Sequence, residues 1–249
     1  MRGIGFGGVA LTTAQRTQIQ EHFARFLKKR VENLERLALD DMKFNVLALR
    51  ATATLLELDT PESLLRYRLA QHLERGLVTA LGTTLQAVAK EIAGQGSGVA
   101  GADIEKIRDG RRYFIQVKSG PDTANKDIAQ NIASLLNSAR ARDPEAICLL
   151  GVCYGRADQI SGIAHKELKS RGVGLLVGKA FWEFIGEEAD TMASVVGLAG
   201  NAAQALEAGS QSYGDRVDRK LAALVTEFES RYGHDLDEDA WARFLADNS

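Results

Sequence analysis

The chain has 249 residues, 45% of them hydrophobic and 26% charged, a balance that permits one sizeable buried core and excludes a disordered or fibrous protein. Its formal net charge of -2 gives no whole-molecule attraction to nucleic acid, so any such contact has to come from local clusters. With 24 glycines, 3 prolines and 6% aromatic residues, helices packed through Leu, Ala and Val are expected to outweigh strands.

The first eleven residues are interrupted by glycine and give way at once to Thr12, Thr13 and Gln15, unlike the continuous apolar region of a signal peptide. No apolar stretch is long enough to span a bilayer, so a cytoplasmic location without membrane contact is expected. From Thr13 to about Leu37, Ile19, Phe23, Phe26, Leu27, Val31 and Leu34 recur at helical spacing, with Thr12 or Thr13 as N-cap. Thr60-Pro61-Glu62 opens a second helix reaching about Arg75, and a further helix runs from about Thr84 to Ala93 before Gly94-Gln-Gly-Ser-Gly98 stops it.

The period then changes from helical to alternating. Asp109-Gly110 is a strong two-residue hairpin turn between Ala102–Arg108 and Arg111–Lys118. Lys126 to Arg142 reads as a helix ended by Asp143-Pro144, and Ala146 to Tyr154 as a buried strand. Cys148 and Cys153 in that strand point to opposite faces and have no nearby ligand partner, which predicts two buried thiols. Gly172 to Val177 reads as one more strand, Phe181 to Ile185 opens a helix, and Ala202 to Arg231 forms one or two more. The expected architecture is an α/β core over 81–190 between helical regions at 1–80 and 191–249, together one compact domain.

A two-residue turn at Asp109-Gly110 pairs Ile104 with Ile115 and Asp103 with Gln116. Ala102, Ile104, Tyr113, Ile115 and Val117 then share an apolar face, and Asp103, Glu105, Gln116 and Lys118 share the opposite one. A carboxylate facing an amide oxygen offers hard ligands for magnesium, and an ammonium two residues along can orient water or offset charge on a phosphodiester. Polar residues on a solvated strand face follow from solvation alone, so the pattern by itself leaves both readings open. The four histidines, on separate helical segments, show no metal or nucleophile spacing.

The run Gly101-Ala-Asp103-Ile-Glu105, followed by Tyr113-Phe-Ile-Gln116-Val-Lys118-Ser-Gly-Pro121, resembles the metal-binding hairpin of the PD-(D/E)XK nucleases. Its neighbours Leu81-Gly-Thr-Thr84, Asn125-Lys126-Asp127, Tyr154-Gly155-Arg156, Asp158-Gln159 and Phe181-Trp-Glu-Phe184 make it most similar to a subgroup of type II restriction endonucleases, over roughly 81–185. The resemblance implies a mixed central sheet flanked by helices, with helical extensions at both ends. It also implies Asp103 as metal-binding aspartate, Gln116 in the place of the second acidic ligand, a backbone oxygen at Val117, Lys118 as catalytic lysine and Mg2+ as cofactor. Ala102 stands where the name-giving proline would be, and Gln116 removes one negative charge. Glu91, on the helix before the hairpin, is the expected helper, ahead of Glu105.

Ser119, Asn125, Lys126, Arg156, Asp158 and Gln159 are the expected contacts to double-stranded DNA; a helix cap at Asn125 and plain surface solvation for the others compete with that role. Apolar stripes on the terminal helices suggest a homodimer, with an intramolecular helical cap as the alternative. A structure-selective nuclease and an inactive DNA-binding module remain the other functional readings.

Overall fold

A computed structural model describes residues 11–94, 96–121, 125–208 and 211–248. The glycine-interrupted start at residues 1–10, read above against a signal peptide, lies outside the described residues. The helices are α1 (Thr13–Arg36), α2 (Val46–Leu55), α3 (Pro61–Ala93), α4 (Lys126–Arg140), α5 (Gly162–Ser170), α6 (Lys179–Gly186), α7 (Thr191–Glu207), α8 (Tyr213–Tyr232) and α9 (Glu238–Asp247). The strands are β1 (Ile104–Arg108), β2 (Arg111–Lys118), β3 (Ile147–Val152) and β4 (Val173–Val177). Among the described residues, no helix is long and apolar enough to cross a membrane.

The strands form one mixed sheet in the order β1-β2-β3-β4, with β1 antiparallel to β2 and the other pairs parallel. The turn chemistry sets the hairpin: Asp109 and Gly110 both have positive φ, 50° and 72°, as a twist-matched two-residue turn requires. The resulting register pairs Ile104 with Ile115 and Arg108 with Arg111, as the sequence predicts. Parallel pairing needs crossovers, and α4 and α5 supply them between β2 and β3 and between β3 and β4.

The polar face of the hairpin is more mixed than expected. Phe114 shares it with Gln116 and Lys118 and is fully buried, in a core with Ile132 and Leu136 of α4 and Cys148, Leu150 and Val152 of β3. Phe114 thus separates Gln116 and Lys118, both half-buried at the end of the strand, from Arg112 on the same face. On the other face, Phe181 of α6 lies where a Cβ on Gly151 would sit, and the Trp182 Nε1–H donates to the Cys153 carbonyl at 2.6 Å. Lys106 is buried and ends on the C-terminus of α6, where its ammonium donates to the Ile185 carbonyl at 2.8 Å and meets Glu187 at 2.7 Å. A cation is stabilised there by the free carbonyls and the helix dipole.

The chain divides into two compact units. One, up to Phe26 and from Ala80 to Ala205, holds the sheet. The other joins Leu27–Thr79 to Leu206–Ser249, and its core packs Leu34, Leu49, Leu65, Leu224, Phe228 and Phe244 together. Apolar residues of α8, α9 and the end of α1 are thus used within that unit's own core.

The helix expected from Thr60 to Arg75 and the one expected from Thr84 to Ala93 are a single helix, α3. Each interior glycine costs a helix only about 1 kcal/mol, and a long helix absorbs two. Gly76 is moreover secured by Arg30, whose guanidinium donates to its carbonyl at 2.9 Å. Thr12 and Thr60 cap α1 and α3 as expected, accepting from the N–H groups of Gln15 and Ser63, both at 3.2 Å. Helices α2, α5 and α9, not assigned from sequence, open on Asn45, Ser161 and Asp237, whose side chains accept from the backbone three residues on.

Because Phe114 fills the space between β2 and α4, Phe114→Ala is expected to cost about 3–5 kcal/mol. Urea unfolding followed through Trp182, in a Trp241→Phe background, should show the lower midpoint.

Candidate active site

The hairpin brings Asp103, one residue beyond the end of the β1 ladder, beside the end of β2 that carries Gln116. The Asp103 N–H donates to the Ile115 carbonyl at 2.8 Å, and its Oδ2 accepts from the Val117 N–H at 2.9 Å. A charged acceptor on a backbone N–H makes one of the stronger hydrogen bonds, about 1.5–3 kcal/mol. It fixes the carboxylate against the strand that carries Gln116 and Lys118. The Gln116 Nε2 donates to the Gly101 carbonyl at 3.0 Å, which identifies Oε1 as the amide atom left for another partner.

Glycines let the backbone approach closely around this strand end. Gly101, at φ 95°, lies so near α4 that a Cβ would overlap the Leu135 carbonyl oxygen. After Lys118, Ser119 packs against Gly82 of α3, and Gly120 leaves room for the Tyr154 ring at the end of β3. The Lys118 and Ser119 carbonyls accept from the Cys153 and Tyr154 N–H groups at 2.9 and 3.1 Å, which prolongs the parallel ladder past the strands.

Helix α3 contributes two residues that the sequence reading did not assign to the site. The Gln86 Nε2 donates to the Val117 carbonyl at 2.9 Å, and the Lys90 ammonium stands 3.9 Å from Asp103 Oδ1. With Gly82 these form a row spaced by four residues, one face of the helix. That spacing was readable from sequence, but two isolated polar residues on a helix carry no chemistry until a strand is placed beside them.

Glu91, the expected helper, follows Lys90 around the helix by about 100°. Its carbonyl accepts from the Gln15 side chain at 3.0 Å, and its carboxylate acts electrostatically on His22 of α1. Glu105 meets Arg112 at 3.4 Å, which also reaches Asp143 at 3.3 Å. Among the described residues, no group of three or more His, Cys, Asp or Glu side chains is placed to hold a metal ion. Both cysteines are free and buried as expected, and burial pushes the Cys153 thiol up to about 12.

The expected DNA contacts are mainly exposed, and several are already engaged with one another. Asn125 caps α4, its side-chain oxygen accepting from the Ile128 N–H at 2.9 Å. Lys126 follows, exposed, in the first turn. Arg156 and Asp158 form a two-bond pair at 3.0 and 3.2 Å that holds the Asp158 carboxyl below its usual range, and Gln159 Oε1 accepts from the Arg156 N–H at 2.8 Å. Ser119 is half-buried beside Gly82.

The placement of Glu91 can be read in solution. Burial, then Arg25, holds His22 below the ordinary histidine range, while Glu91 and Glu21 oppose them. Glu91→Gln should therefore lower the His22 pKa further in an NMR titration of the imidazole; an unchanged pKa would mean that Glu91 points away from α1.

A sequence-family model described as Type II restriction endonuclease EcoO109I matches residues 14–207, from the first turn of α1 to the end of α7. A comparison with curated proteins finds no match. The matched span contains the whole sheet and all of Asp103, Gln116 and Lys118, covers well over half of the sequence, and places the chain in the family of the type II restriction endonuclease EcoO109I.

Proposed function

We propose that this protein is a Mg2+-dependent, sequence-specific endonuclease that hydrolyses phosphodiester bonds of double-stranded DNA in the cytoplasm, acting as a homodimer. The observation that carries the reading is the fixed position of Asp103, bonded through Oδ2 to Val117 N–H between Gln116 and Lys118, which share one face of β2.

The donor set suits magnesium, which takes hard oxygens, binds through as few as one or two carboxylates, and relies on substrate phosphates and waters for the rest. Asp103 Oδ1, Gln116 Oε1 and the second lone pair of the Val117 carbonyl are the oxygens that would hold it. When bound, the ion supplies a Lewis acid beside the scissile phosphate. Asp103 and Gln116 would offer their oxygens to the ion at the strand end, and Gln86 keeps the Val117 carbonyl in place. Lys118 orients a water for in-line attack and offsets the negative charge that builds on the phosphate oxygens. The new O–P bond forms as the opposite P–O bond breaks, and the leaving oxygen takes up a proton.

Ser119, Asn125 and Lys126 follow the end of β2, and Arg156, Asp158 and Gln159 follow the end of β3. Adjacent parallel strands therefore deliver both groups to one edge of the sheet, where they are proposed to meet DNA: a lysine and a helix N-terminus for phosphate, arginine and glutamine for base edges. Two-fold protein symmetry would match a palindromic site, each subunit cutting one strand.

A second reading, an inactive DNA-binding member, draws on the single carboxylate between Asp103 and Gln116 and on the lack of a three-acid cluster among the described residues. Digestion of plasmid DNA with magnesium separates the two. Discrete fragments are expected from the wild type, with a loss of at least about a hundredfold in Asp103→Ala and in Lys118→Ala. Intact DNA across metals and salt concentrations would favour the inactive reading.

Gln116→Glu supplies the missing negative charge. Calorimetry should show magnesium binding tightened by about an order of magnitude, since affinity of such sites follows ligand charge.

A further inference from the structure

Lys90 is the one cation within ion-pair distance of Asp103 among the described residues, its ammonium 3.9 Å from Oδ1. Its aliphatic stem passes close by: Lys90 Cδ lies within van der Waals reach of where a Cβ on Gly96 would sit, and Gly96 forms a β-bridge with Ile104 and leads to the Ser97 N–H donating to the Asp103 carbonyl at 3.0 Å. The side chain is laid along the segment that approaches the hairpin and points toward the carboxylate. Asp103 Oδ2 is taken by Val117 N–H, so Oδ1 is the oxygen that both Lys90 and a divalent ion would use.

We propose that Lys90 is a resident counter-ion of Asp103, competing with the divalent cation for Oδ1 and holding the metal affinity of the DNA-free protein low. This rests on the metal reading of the site. An ammonium about 4 Å from the shared oxygen opposes a divalent ion through direct repulsion. With one carboxylate and one neutral amide at the strand end, the site has little negative charge to overcome that opposition. A DNA phosphate offers the ammonium an alternative partner, so metal and DNA are expected to bind with positive coupling.

Calorimetric titration of Mg2+ into the full chain, without DNA, tests the inference on wild type, Lys90→Met, Lys90→Arg and Asp103→Ala. Lys90→Met keeps the stem beside Gly96 and removes the charge, and it should bind about tenfold more tightly; Lys90→Arg should remain within about twofold of wild type. Thermal melts of the metal-free proteins verify that each variant is folded. Equal affinity in wild type and Lys90→Met, with binding lost in Asp103→Ala, would overturn the role of Lys90 and leave the metal site standing. Binding that survives Asp103→Ala unchanged, or absence of binding in every variant, would overturn the metal reading and this inference together.

Discussion

The hydrogen bond from the Val117 N–H to Asp103 Oδ2 is the contact on which the candidate site depends. Asp103 lies just outside β1, in a loop whose side chains would otherwise sample many rotamers. Tied to the peptide of Val117, the carboxylate inherits the position of a strand that is paired on both sides. The same residue is held through its next peptide by Gln86, which donates to the Val117 carbonyl. Val117 is thus gripped by a loop through its N–H and by a helix through its C=O, while its buried side chain anchors the strand in the core. Gln116 and Lys118, on either side, are positioned without needing rigid partners of their own.

Close backbone approaches extend that constraint to the surrounding elements. Gly101 brings the loop against α4, Gly120 brings the strand end against Tyr154, and Gly151 brings β3 against Phe181 of α6. In each case a side chain at the glycine would overlap a neighbour. The hairpin, α4, the end of β3 and α6 are therefore in direct contact around the polar strand end, and the site rests on regular elements instead of on a long loop.

Much of this was legible in the sequence. The Asp109-Gly110 turn fixes the register, which puts Ile104 opposite Ile115 and brings Asp103, the next residue, to the end of β2. Helix α1 was visible because its apolar residues recur at helical spacing, and β3 and β4 because each is a short apolar run. The continuity of α3 was not, because Gly76 and Gly82 read as breaks when nothing in sequence shows what each packs against. That error hid the site's helical wall. Gln86 and Lys90 are unremarkable polar residues until a strand lies beside them, whereas Glu91 drew attention by being acidic. Phe114 escaped because strand alternation predicts which face a residue takes, but not which helix covers that face or how far along the strand the cover extends.

The row Gly82, Gln86 and Lys90 also sets what α3 can tolerate over evolutionary time. Each of its three contacts depends on the helix's rotation and not on the identity of the residues between them. Removing or adding one residue within 83–89 would turn one end of the row by about 100° relative to the other, taking either Ser119 or Asp103 away from its partner. Substitutions at exposed positions in that stretch leave the geometry intact. In related chains the exposed positions of this segment are therefore free to drift while its length is not, and an insertion there would separate the hairpin from its helical wall even with Asp103, Gln116 and Lys118 all retained.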